Sequence, residues 1–82
     1  HRTSPPPLAC QPQRQQQLPL PTAEERLLWI QVIDGELRLQ SDGTRQQVLR
    51  RGDGLGLVQD TTTSRELIGI SDTADVLLFA MT

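Results

Sequence analysis

Apolar and polar positions alternate with a period of two through LLWIQVIDGELRLQSDGTRQQVLRRGDGLGL, the run from Leu27 to Leu57. Alternation broken by turn residues predicts short antiparallel strands, and no window carries a helical period. Asp34-Gly35 predicts a two-residue hairpin turn of type I′. That turn would set Ile33 opposite Glu36, Val32 opposite Leu37, Gln31 opposite Arg38 and Ile30 opposite Leu39. Ile30, Val32, Leu37 and Leu39 would then share one face, with Gln31, Glu36, Arg38 and Gln40 on the other. Asp42-Gly43 predicts a second reversal before a strand near Arg45 to Leu49. Gly52-Asp53-Gly54 predicts a third before Leu55 to Val58. Asp60 to Ser64 reads as a polar loop. Leu67 to Ile70 and Val76 to Met81 read as the last strands, with Ser71 to Asp75 between them. Turn signals roughly every 8–12 residues indicate an all-β barrel or sandwich.

Two strands depart from the one-face rule. Leu27-Leu28-Trp29-Ile30 and Val76-Leu77-Leu78-Phe79 are apolar on both faces. Such strands are central in a closed barrel or covered outside by a partner. A short folded segment buries a limited core, which favours an outer apolar patch around Leu27, Trp29, Leu77 and Phe79 meeting another domain or subunit.

The N-terminal part differs in texture. All 6 prolines lie at or before Pro21 and all 6 glycines at or after Gly35. Residues 1–25 form a Pro/Gln-rich arm and residues 26–82 the β domain. Pro5-Pro6-Pro7 favours an extended path. The arm is either a linker, with a weak PxxP ligand potential, or edge-strand material near Leu8 to Gln11 and Gln17 to Leu20, since proline tolerates sheet edges.

Composition narrows the function. The chain has 82 residues, enough for one domain, and starts at His1 without an initiator Met, as expected of a piece of a longer or processed protein. Its 8 basic residues, all Arg, nearly balance 10 acidic ones, and its aromatics are Trp29 and Phe79. Nucleic-acid binding calls for phosphate-neutralising charge and stacking rings, so no nucleic-acid partner is expected. The single Cys10 rules out an internal disulfide framework and a multi-Cys zinc site, which points to a reducing, cytoplasmic setting. The apolar runs are too short to span a bilayer as a helix, so no membrane partner is expected.

The remaining motifs have bland readings. Arg51-Gly52-Asp53 spells an integrin-binding tripeptide but stands where a tight turn is needed. Gly52-x-Gly54-x-Gly56 lacks dinucleotide-site spacing and suits a turn with close packing. Cys10 has no interior His or Lys to activate it. Asp34, Asp42 and Asp53 are turn residues. Arg50-Arg51 reads as a solvated strand end. No catalytic, cofactor-binding or metal-binding residue is expected in this chain.

WIQVIDGELRLQ, then VLRRGDGLGL, then ADVLLFAMT resemble the C-terminal cupin domain of pirin-like proteins, the bacterial quercetin 2,3-dioxygenase-like family. The resemblance spans about Arg26 to Met81. It implies a small antiparallel cupin barrel that follows an N-terminal cupin carrying a metal, usually on three His and one Glu. For the parent it implies a metal-dependent dioxygenase acting on flavonol-like substrates, with iron or another divalent metal. The cupin metal motifs can be laid on this chain by their glycines. Anchored on Gly35, the first motif places its Glu at Leu28 and its His pair within Pro21, Thr22, Ala23 and Glu24. Anchored on Gly52, the second places its Pro at Val58 and its His at Thr63. Glu24 is the lone donor, and the sole histidine, His1, stands far off in sequence. The expectation is a metal-free cupin with a structural role beside a missing N-terminal cupin or a second subunit. The alternative is a free-standing ligand- or protein-binding module using the barrel mouth or the face around Trp29.

Overall fold

A computed structural model describes residues 7–20 and 26–81. These form β1 (Leu8–Cys10), β2 (Gln17–Pro19), β3 (Leu27–Asp34), β4 (Glu36–Ser41), β5 (Arg45–Arg50), β6 (Gly54–Val58), β7 (Arg65–Gly69) and β8 (Asp75–Met81). There is no helix among the described residues, and hence none long and apolar enough to cross a membrane. The strands build two four-stranded antiparallel sheets, one ordered β1-β8-β3-β6 and the other β2-β7-β4-β5. Every chain connection crosses from one sheet to the other except β4–β5.

The Asp34-Gly35 hairpin expected from the sequence does not form. β3 pairs with β6 and β8, whereas β4 pairs with β5 and β7. Gly35 is the corner at which the chain leaves one sheet for the other. The face assignment survives this change: Ile30, Val32, Leu37 and Leu39 are all buried, but they meet across the core rather than side by side. An Asp-Gly step and a period-two pattern suit either arrangement, and only the long-range strand partners decide between them. The corner is tied to the segment after β7. Ile70 N donates to the Glu36 carbonyl at 3.0 Å, and Glu36 N donates to Ser71 Oγ at 2.9 Å.

Asp42-Gly43 does make a hairpin. Ser41 pairs with Arg45, Thr44 N donates to Ser41 O at 3.1 Å, and both turn residues have positive φ, 52° and 73°. The arm residues described take the edge-strand course: β1 pairs with β8, and β2 with β7. Pro19 sits in an edge strand, where its missing N–H costs no ladder bond. Pro12 and Leu20 from the arm are buried with the core. The chain between β1 and β2 lies directly on Gly69, whose N–H donates to Gln16 O at 3.1 Å.

The core lies between the sheets. Leu28, Ile30, Val32, Val76 and Leu78 come from one sheet, and Leu37, Leu39, Leu49 and Leu67 from the other. Cys10 packs against this core from β1, half-buried, and burial raises its thiol above the ordinary range. On the outside of the second sheet, Arg38 sits on β4 between Ile68 and Val48, and its Nε is buried without a hydrogen-bond partner.

Candidate functional site

Two places carry the residues singled out above, and the fold assembles a third. The first is the outer face of the β1-β8-β3-β6 sheet. β3 and β8 are its two central strands, so their second apolar face points away from the core. Across them Trp29 pairs with Phe79, Leu27 with Met81 and Gln31 with Leu77; β6 sets Gly56 beside Trp29 and Val58 beside Leu27. Leu27, Val58 and Met81 are exposed, at 40%, 63% and 38%. Trp29, Leu77 and Phe79 are half-buried. The Gly54-x-Gly56 spacing has its reason here. The Trp29 indole lies flat over both glycines, and a Cβ at Gly54 would run into the ring. Trp29 Nε1 donates to Gln31 Oε1 at 3.2 Å, and Gln31 Nε2 donates to Asp53 O at 3.2 Å. The ring is thereby tied to the β5–β6 turn.

That turn contains Arg51-Gly52-Asp53. Gly52 has φ +87° and its N–H donates to Val32 O at 2.9 Å. Asp53 Oδ2 accepts from Arg50 N at 2.8 Å. The carboxylate that an integrin-type partner would need is turned back into the loop.

The second place is the set of positions where a cupin metal would be held. Leu28, at the Glu position, is 3% exposed in the apolar core; Val58, where the second motif has its Pro, lies on the outer face. Thr63 belongs to a loop gathered by Asp60, whose carboxylate accepts from the N–H groups of Thr62 (2.9 Å) and Thr63 (2.6 Å) and from both hydroxyls. These bonds, led by the Thr63 N–H, lower the Asp60 carboxyl to about 2. Neither Leu28, at the Glu position, nor Thr63, at the second-motif His position, offers an imidazole or carboxylate to a cupin metal. Among the described residues no three His, Cys, Asp or Glu side chains cluster as a metal site. His1 and the Pro21 to Glu24 positions lie outside the described residues.

The third place was not legible in the sequence. Ser41 on β4 pairs with Arg45 of β5 on one side and Arg65 of β7 on the other. All three share the inward face of Leu39 and Leu67, at the end of the barrel. They line a cleft of about 480 Å³ together with Leu39, Gln46, Gln47 and Leu57. Each arginine sits at a strand end, where a solvated role is the ordinary expectation.

Two facing antiparallel sheets whose connections alternate between them define a double-stranded β-helix, the cupin architecture. The family model described as quercetinase C-terminal cupin domain matches residues 8–81. This chain therefore belongs to the C-terminal cupin domain family of the pirin-like proteins. No curated protein sequence matches it. Among solved structures it resembles a helix-turn-helix transcriptional regulator from Vibrio cholerae, with TM-score 0.75 and 15% identity, over 90% of this chain and 40% of the regulator. It also resembles the Schizosaccharomyces pombe Cnp3 cupin domain, with TM-score 0.74 and 7% identity, over 90% of this chain and 53% of that one. A de novo designed double-stranded β-helix aligns over 93% of this chain and 99% of its own length, with TM-score 0.75 and 14% identity. At such identities the likeness is one of fold alone, and the chain spans about half or less of the first two structures.

Proposed function

We propose that this domain is a metal-free cupin whose role is structural, and that the outer face of its β1-β8-β3-β6 sheet docks a second cupin domain of the same polypeptide. The observation that carries the reading is the two-faced apolar character of β3 and β8. Leu27, Trp29, Leu77, Phe79, Met81 and Val58 form one continuous patch on the side away from the core. Sheet faces that meet water are normally polar, and a contiguous apolar face marks an interaction surface. A family defined as C-terminal cupin domains supports a preceding cupin as the occupant. The parent's chemistry, a metal-dependent dioxygenase reaction on flavonol-like substrates in a reducing, cytoplasmic bacterial setting, would then lie outside this chain.

Val58→Glu tests the docking. Val58 is 63% exposed within this domain, so the domain alone should tolerate the change. In the intact protein a charge would be placed in an apolar interface. The loss of stability should be about 2 kcal/mol or more by denaturant unfolding. Val48→Glu, on the outside of the opposite sheet and 44% exposed, is the matched control and should change stability little. Equal losses for the two variants would sink the docking surface. The metal-free reading has its own check. Calorimetric titration of this 82-residue chain with iron, nickel or copper should give no saturable binding in the micromolar range, and a one-to-one isotherm there would refute it.

A further inference from the structure

We propose that the barrel mouth is a binding site for a small organic carboxylate with an apolar body. The site is separate from the docking face and does not rest on it. Inward positions of a small barrel are ordinarily filled by apolar side chains. Along β4, Leu37 and Leu39 follow that rule, and the next inward position is Ser41. Its two cross-strand partners are Arg45 and Arg65. Strands lie about 4.8 Å apart, so the arginine Cα atoms flank Ser41 at roughly 10 Å from each other on one face. Two guanidiniums and a hydroxyl therefore converge on one cleft.

Among the described residues lining the cleft, none carries an opposite charge. The ion pairs among the described residues engage Arg14 with Asp72 and Arg50 with Glu36, and neither Arg45 nor Arg65. The chain as a whole is net negative, at −2, so this convergence of like charge is local. Arg65 Nη1 donates to Val58 O at 3.5 Å, which braces its guanidinium across the gap between β7 and the end of β6. The cleft's lining joins β5, through Arg45, Gln46 and Gln47, to β6, through Leu57; these are the edge strands of the two sheets.

The chemistry of the walls selects the ligand. Guanidinium groups match a carboxylate in a two-bond geometry. Leu39 and Leu57 supply an apolar floor, which a bare inorganic anion would leave unused. A volume of about 480 Å³ lies within the roughly 300–1,000 Å³ of small-molecule sites.

The test uses the protein that carries this chain, at its natural length, with leucine methyl groups labelled for NMR. Cinnamate should shift the Leu39 and Leu57 methyl signals saturably. Arg45→Gln should weaken that binding by about tenfold or more, the scale of a lost charge-assisted hydrogen bond, while the other methyl signals stay in place. Arg65→Gln should weaken it similarly and also release Val58. Cinnamide binding as tightly as cinnamate would overturn the carboxylate assignment. Inorganic phosphate shifting the same methyls with equal affinity would overturn the apolar component. No saturable shift, or full affinity retained in Arg45→Gln, would overturn the site.

Discussion

Gly35→Ala should destabilise the domain by about 2–5 kcal/mol. The backbone there has φ +79°, where an L side chain costs roughly 1–2 kcal/mol. Space is lacking as well. An added Cβ would stand 2.5 Å from the Thr73 carbonyl oxygen, 2.7 Å from Ser71 Oγ and 2.8 Å from Ala74 Cα. Two of these three atoms are backbone, so relief requires moving the segment that leads into β8, at a further cost of about 1–3 kcal/mol. Gly43→Ala separates the two effects. Gly43 also has positive φ, 73°, but its nearest neighbour would be 4.0 Å away, so only the conformational cost of about 1 kcal/mol applies. Urea unfolding midpoints for the pair measure the difference. If the two variants lose equal stability, the packing of residues 71–74 against the corner contributes nothing.

Ile30→Ala should cost about 2–5 kcal/mol, the range for emptying a fully buried aliphatic position. Ile30 is 0% exposed and faces the second sheet across the core. Leu27→Ala on the same strand removes a side chain that is 40% exposed on the outer face, and in the isolated domain it should cost under about 1 kcal/mol. The contrast reads the two faces of β3 by one measurement. Similar losses in the isolated domain would mean that the outer face is already packed, and that the patch around Trp29 is part of the core.

The two faces of β3 are legible in the sequence, because a strand's side chains alternate whatever its partners are. Leu28, Ile30 and Val32 fall inward and Leu27, Trp29 and Gln31 outward in any sheet that buries the apolar set. The positive-φ turns at Gly35, Gly43 and Gly52 are marked by residue type alone. What the strands pair with is not legible there. Asp34-Gly35 satisfies the local rule for a hairpin, yet it serves as a corner between sheets, because β8 and β6 compete for both edges of β3 and win. The proline-rich arm is ambiguous for the same reason. Leu8 to Cys10 and Gln17 to Pro19 become strands only because β8 and β7 have edges to offer.

The candidate sites divide along the same line. The apolar outer face is legible as two strands without a polar side. The barrel-mouth cleft is not, since Ser41, Arg45 and Arg65 are brought together only by the pairing of β4 with both β5 and β7. By itself the sequence determined which residues from Leu27 onward are strand and turn, which side of each of those strands is buried, and that no imidazole or carboxylate stands at Leu28 or Thr63, where the family resemblance lays a cupin Glu and His. These are properties of single residues and of a period of two. Only the tertiary structure decided the order of strands in each sheet, the corner at Gly35, the indole laid over Gly54 and Gly56, and the two guanidiniums flanking Ser41. Each of those rests on contacts between distant segments, and local alternation is equally compatible with more than one set of them.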